Sequence, residues 1–167
     1  MGGVAPPDRP AGAPDVIYVP TPEATVDAML ALAEVKSGDV LYDLGSGDGR
    51  IPIAAAKRFG VRGVGIEINP RLVAEARANA RAAGVERLAR FREQDLFRTD
   101  FREASVVTLY LLPELNARLR PKFLAELAAG ARIVSHAFDM AGWPPERVVT
   151  MTDGTPIYLW RVPPKGP

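Results

Sequence analysis

Asp43-Leu44-Gly45-Ser46-Gly47-Asp48-Gly49-Arg50 lies between an apolar run, Asp39 to Leu44, and an alanine-rich run, Arg50 to Phe59. The first run reads as a short strand and the second as a helix closed by Gly60. The glycines let the backbone turn tightly and leave no Cβ in the path of a ligand. The helix start offers unpaired N–H groups to an anionic group. A plain strand-to-helix turn would also carry glycines, so the stretch gains meaning only from its neighbours along the chain.

Outward from this turn the pattern repeats. Thr21-Pro22 reads as a helix start, threonine capping and proline first in the helix, with Val26, Met29, Leu30 and Ala33 on one face. Arg62 to Glu67 is a strand. Asn69-Pro70 opens a helix with Val73, Ala76, Arg77 and Ala80 on one face and Gly84 closing it. Leu88 to Glu93 and Ser105 to Leu112 are further strands. Pro113 to Ala129 is helical but expected to break at Pro121, with Gly130 as its cap. Ala131 to Ala137 is a fifth strand, and Arg147 to Met151 with Pro156 to Val162 forms a hairpin through Asp153-Gly154. Strands alternating with helices predict an α/β fold: a three-layer, largely parallel sheet with an antiparallel strand in the C-terminal hairpin.

Two carboxylates then support the glycine turn. Glu67 lies 22 residues after Gly45, at the end of the next strand, where a ribose-binding carboxylate belongs in a Rossmann-like nucleotide site. Asp95 ends the third strand between Gln94 and Leu96. A carboxylate there can accept a hydrogen bond from an adenine amino group, with an apolar neighbour against the ring. Three carboxylate-bearing strand ends would line one edge of a parallel sheet.

This constellation resembles the class I, seven-strand S-adenosylmethionine-dependent methyltransferases. Asp43 to Arg50 is similar to their first motif, Glu67 to the second and Gln94-Asp95-Leu96 to the third. The spacing G-S-G-D-G departs from the G-x-G-x-x-G of dinucleotide oxidoreductases. A narrower resemblance, to the small archaeal protein-lysine methyltransferases and related mitochondrial lysine methyltransferases, rests on four stretches. They are Tyr18 to Pro22, Thr108 to Asn116, Val134 to Phe138 with Trp143, and Tyr158-Leu159-Trp160. It implies S-adenosyl-L-methionine as cofactor, held by Thr21, Asp43, Gly45, Ser46, Gly47, Glu67, Ile68, Gln94, Asp95 and Leu96. Thr21 would touch the methionine end. It implies lysine ε-amino groups of proteins as acceptor.

Other residues keep two readings at this level. Tyr110 is either an acceptor-pocket aromatic or a core-edge tyrosine. His136, the one histidine, is a general base or a hydrogen-bonded structural residue. Trp143 walls the acceptor channel or packs its loop. Asn116 is expected at the surface or as a cap, Arg50 as a helix-start residue, and Tyr42 and Ile66 in the core.

Composition excludes several classes. The 167 residues suit one domain, expected over residues 16–167 behind a flexible Gly/Pro/Ala-rich tail at residues 1–15. No cysteine is present, which excludes disulfides, thiolate metal sites and the cysteine nucleophile of cytosine-C5 methylation. One histidine excludes a multi-histidine metal site, so no metal is expected. A net charge of +1 gives little pull on nucleic acid or membrane, and the 17 arginines against 4 lysines read as a scattered compositional bias. Val106 to Pro113, a strongly apolar run, is too short to span a bilayer. Leu-Leu-Pro-Glu after the fourth strand differs from the Asn/Asp-Pro-Pro-Tyr/Phe of amino-base methyltransferases. About 150 structured residues nearly exhaust the bare fold, which predicts an open site suited to a side chain on a macromolecule. The alternatives are a small-molecule or RNA methyltransferase, or a protein that binds the cofactor without turnover. Cytoplasmic location is the expectation, as the default for an enzyme dependent on S-adenosylmethionine, and a leader removed from the start would change it. Nothing in the sequence signals an oligomeric state.

Overall fold

The apolar runs assemble side by side into one sheet, described in a computed structural model for residues 19–165. The expected tail at residues 1–15, and Tyr18, lie outside the described residues. The elements are α1 (Glu23–Leu32), β1 (Val40–Leu44), α2 (Arg50–Phe59), β2 (Arg62–Glu67), α3 (Pro70–Ala82), β3 (Ala89–Glu93), β4 (Val106–Leu109), α4 (Pro113–Glu126), β5 (Arg132–His136), β6 (Arg147–Thr150) and β7 (Pro156–Arg161). The strand order is β3-β2-β1-β4-β5-β7-β6. β1 pairs in parallel with both β2 and β4, and the order reverses at that point. β7 runs antiparallel to both β5 and β6, so it is the one reversed strand of the sheet.

Alternation along β1 sorts the two faces. Leu41 packs with Met29, Leu30 and Ile51, on the side of α1 and α2. Tyr42 and Leu44 pack with Leu119 and Phe123 of α4 on the other side. α3 closes a smaller cluster through Val73, Ala76 and Ala80 against Phe91 of β3. Between β3 and β4 there is only a short 3-10 turn, Leu96–Arg98. The sheet therefore carries three helices on one face and one on the other. No helix of the described residues is long and apolar enough to cross a membrane.

Five local expectations change. Helix α1 starts at Glu23 with Pro22 as its cap residue, not Thr21, because the Thr21 hydroxyl is engaged elsewhere. Arg77 is exposed rather than buried, its guanidinium donating to the Phe91 carbonyl at 2.9 Å. β4 ends at Leu109, three residues early, where the chain turns toward Pro113. α4 runs unbroken through Pro121, with fully buried Leu119 and Phe123 anchoring the helix on either side of the missing N–H. Its C-cap is Leu127 in extended conformation, and Gly130 instead lies in the turn before β5, donating to the Val162 carbonyl at 2.8 Å.

Candidate functional site

The C-terminal ends of β1, β2, β3 and β4 bring the sequence-predicted carboxylates to one edge of the sheet, at the point where strand order reverses. Asp43 sits near the end of β1 and is 4% exposed. Its Oδ1 accepts a hydrogen bond from Thr108 Oγ1 at 2.8 Å. Thr108 opens a stretch that carries the narrower resemblance but had no role there, although a lone hydroxyl in the run Val106-Val107-Thr108-Leu109 was the available signal. Burial pushes the Asp43 carboxyl up to about 7, the Thr108 bond opposes this, and the Glu67 and Asp48 charges add to it.

The glycine turn comes next in the chain. Gly45, Gly47 and Gly49 have φ of +77°, +56° and +86°, a left-handed region that favours glycine. At Gly49 an added Cβ would come within 2.6 Å of the Phe91 ring and 2.9 Å of Ala76, so this position also needs the missing side chain. Gly65 on β2 is equally tight, its hypothetical Cβ falling 2.5 Å from Ser46 Oγ. Ser46 Oγ is buried and has no hydrogen-bond partner among the described residues. This hydroxyl lies under the turn, against Gly65, while Gly45 is the exposed member of the turn.

Glu67 locks the turn. Its Oε1 accepts from Gly47 N at 2.9 Å and its Oε2 from Asn69 N at 3.0 Å. One carboxylate therefore ties the glycine turn to the start of α3. Ile68, next to it, is an exposed large apolar side chain at 40%. Gln94 donates its backbone N–H to the Glu67 carbonyl at 3.0 Å, and its side-chain oxygen accepts from Thr99 Oγ1 at 3.0 Å. Asp95 is exposed, and its Oδ1 caps the 3-10 turn through Phe97 N at 2.9 Å. Leu96 is half-buried beside it.

A second group forms on the other side of the reversal point. Thr21 Oγ1 and His136 Nδ1 share a buried hydrogen bond of 3.2 Å. The Tyr110 ring lies 3.9 Å from the His136 ring, centre to centre, and stacks on Phe138 at 6.0 Å. Arg50 Nη1 donates to the Thr21 carbonyl at 3.0 Å while its guanidinium pairs with Asp48, so the first motif holds the segment before α1 in place. Burial lowers the His136 pKa, which keeps the ring neutral near pH 7. Ala137, the next residue, has φ of +70°, a strained value for alanine at the exit of β5.

Asn116 is corrected outright. It is fully buried, not at the surface, because its amide holds the β5 exit: Nδ2 donates to the carbonyls of Phe138 at 3.3 Å and Asp139 at 3.1 Å. Phe138 and Asn116, which fall in the stretches that carry the narrower resemblance but had no role there, are thus parts of this corner. Trp143 sits with Trp160, ring centres 6.2 Å apart, and its carbonyl accepts from Trp160 Nε1 at 2.8 Å. Its ring contact is with this core tryptophan, not with Tyr110 or His136. Tyr42 and Ile66 are buried in the core as expected.

The donor set fits the cofactor that the resemblance implies. It offers a buried acid, an open glycine turn, a carboxylate at the end of β2 and an exposed apolar residue after it. Comparison with known proteins identifies the family. The family described as the ANTKMT methyltransferase domain matches residues 43–147. The chain is similar to the protein-lysine N-methyltransferase of Saccharolobus islandicus (strain REY15A), 46% identical over 88% of this chain and 94% of that one. The adenine nucleotide translocase lysine N-methyltransferase of Mus musculus is 38% identical over 80% of this chain. The chain spans only 58% of that longer relative. Among solved structures, an RNA methyltransferase from Salinibacter ruber in complex with S-adenosyl-L-homocysteine is 56% identical, with a TM-score of 0.86 over 89% of this chain and 97% of that one.

Proposed function

The chain belongs to the ANTKMT methyltransferase domain family, and from that premise we propose that it transfers methyl from S-adenosyl-L-methionine to lysine ε-amino groups of proteins. The observation that carries the acceptor is the 46% identity to a protein-lysine N-methyltransferase over nearly its whole length. The fit of the donor set supports the cofactor.

When bound, S-adenosyl-L-methionine supplies an activated methyl on a sulfonium with a good leaving group. The chain's own residues then bind and orient. Asp43, Gly45, Ser46 and Gly47 form the cradle at β1, and Glu67 accepts from ribose hydroxyls while Ile68 and Leu96 flank the base. Asp95 and Gln94 serve the adenine edge, and Thr21 bounds the methionine end. Tyr110, backed by His136 and Phe138, is the aromatic wall of the acceptor pocket. Such a wall desolvates an entering ammonium and lowers its pKa, so the amine loses its proton to water and no dedicated base is needed. Alignment of the lone pair with the breaking bond supplies most of the acceleration.

A second reading, RNA as acceptor, is favoured by the 56% identity to the Salinibacter ruber RNA methyltransferase. One experiment separates the two. Incubated with radiolabelled cofactor, a mixture of proteins and RNA is expected to carry label in protein, with mass increments of one methyl on lysine. Label confined to RNA would reject the lysine reading.

A further inference from the structure

Six of the 17 arginines, read as scattered in the sequence, come together in the fold. Arg62 of β2, Arg77 and Arg81 of α3, and Arg87, Arg90 and Arg92 at β3 line a surface groove of about 850 Å³. Glu86 is the one carboxylate in its lining. The groove follows β3, the edge strand of the sheet, between α3 on one face and the face left bare by the missing helix between β3 and β4 on the other.

The six are not equivalent. Glu103, beside the groove, pairs with Arg62 and Arg92. Arg77 caps the Phe91 carbonyl. Arg81, Arg87 and Arg90 are exposed and have no hydrogen-bond or ion-pair partner among the described residues. Protecting an edge strand from pairing accounts for charges on the strand itself. It does not account for Arg81 on a helix or Arg87 in a turn. Like charges in excess of their counter-charges raise the local potential and draw in an anion.

We propose that this groove docks an acidic segment of the protein acceptor, away from the lysine to be methylated. This rests on the protein-acceptor reading above. Three available guanidiniums match a short run of carboxylates, each able to take a two-pronged bond. They are fewer than the roughly six to ten phosphate contacts on which nucleic-acid affinity is commonly built. The one lining aromatic, Phe91, is 4% exposed, so no ring is available for base stacking. The geometry sets a spacing. β3 lies three strand positions from β4, which carries Tyr110 at its exit, and Arg90 and Arg87 stand three to six residues back from that end, so the span is on the order of 20 Å. An extended peptide needs roughly six to seven residues to cross it, so carboxylates and lysine must be at least that far apart.

The test uses the full chain and two labelled peptides. Each has one lysine and a spacer of about eight residues, one ending in a glutamate tract and the other in glutamines. The glutamate peptide is expected to bind about tenfold tighter, to lose that advantage in high salt, and to have a lower KM at unchanged kcat. Combined Arg81→Glu, Arg87→Glu and Arg90→Glu is expected to erase the difference while leaving S-adenosyl-L-homocysteine affinity and the melting curve intact. Arg87→Glu alone serves if the triple variant does not fold. Equal binding of the two peptides by the unaltered chain would overturn the proposal. So would a single-stranded RNA oligomer that binds through the same arginines more tightly than the glutamate peptide. Tight glutamate binding without methylation of either peptide would support the groove and reject the lysine reading.

Discussion

Asp43 is a carboxyl that burial keeps close to half-protonated at neutral pH, at about 7. Unfolded, it titrates near its ordinary value of 3.8. Between those values the folded chain holds a proton that the unfolded chain has lost, so Asp43 makes stability fall as pH rises from about 4 to about 7. The slope is about 1.4 kcal/mol per pH unit at most. Buried His136 acts with the opposite sign below its ordinary value of 6.5. Asp43→Asn isolates the first effect: denaturant unfolding across this range should lose the downward slope. A cationic ligand favours the ionised carboxylate, so cofactor binding at pH 6 should release a proton. Calorimetry in buffers of different ionisation enthalpy measures it.

Glu67 is the second residue with a direct readout. Its two oxygens already serve Gly47 N and Asn69 N, so the carboxylate is fixed before any ligand arrives. Glu67→Ala should weaken S-adenosyl-L-methionine binding by about 1–3 kcal/mol, measured by calorimetry, through lost charge-assisted hydrogen bonds. Unchanged affinity would contradict its placement at the ribose.

At the scale of elements, packing decides what local signals leave open. The glycine turn, α2 and β2 were legible to the residue, because Gly49 and Gly60 punctuate them and β2 is apolar between its charged ends, Arg62 and Glu67. Thr21 looked like a cap because threonine before proline is one. Its hydroxyl went instead to a histidine 115 residues away, a partner no local rule can see. Pro121 looked like a break. Leu119 and Phe123 are both fully buried and hold the helix through it. Asn116 looked like surface because an amide usually is. Its carbonyl acceptors belong to the β5 exit, which only the fold brings near. Two substitutions test these elements. Asn116→Ala should cost about 2 kcal/mol in unfolding, because the Asp139 carbonyl loses its amide donor while Phe138 keeps the Ser135 hydroxyl. Gly49→Ala combines a φ of +86° with overlap on Phe91, and should cost at least about 2 kcal/mol.

Across the whole molecule, every strand belongs to one sheet, and helices on both faces draw on it for their cores. No part has a core of its own to survive alone. Thermal unfolding should therefore be a single transition, with far-ultraviolet and near-ultraviolet circular dichroism changing together. Fold class and the shared edge of the three carboxylates follow from alternation and spacing, which are properties of sequence. The arginine groove does not, since its members come from three elements separated by up to 30 residues.

The Trp143–Trp160 contact gives this chain a built-in optical probe. These are its only tryptophans, and the two rings share one corner, Trp160 fully buried and Trp143 on the loop between β5 and β6. Intrinsic emission thus reports one place rather than an average over the protein. That place lies along the same loop that starts at His136 and carries Phe138. Movement of the acceptor wall would shift the emission of an unlabelled, unmutated chain, whereas changes at the glycine turn alone would leave it dark.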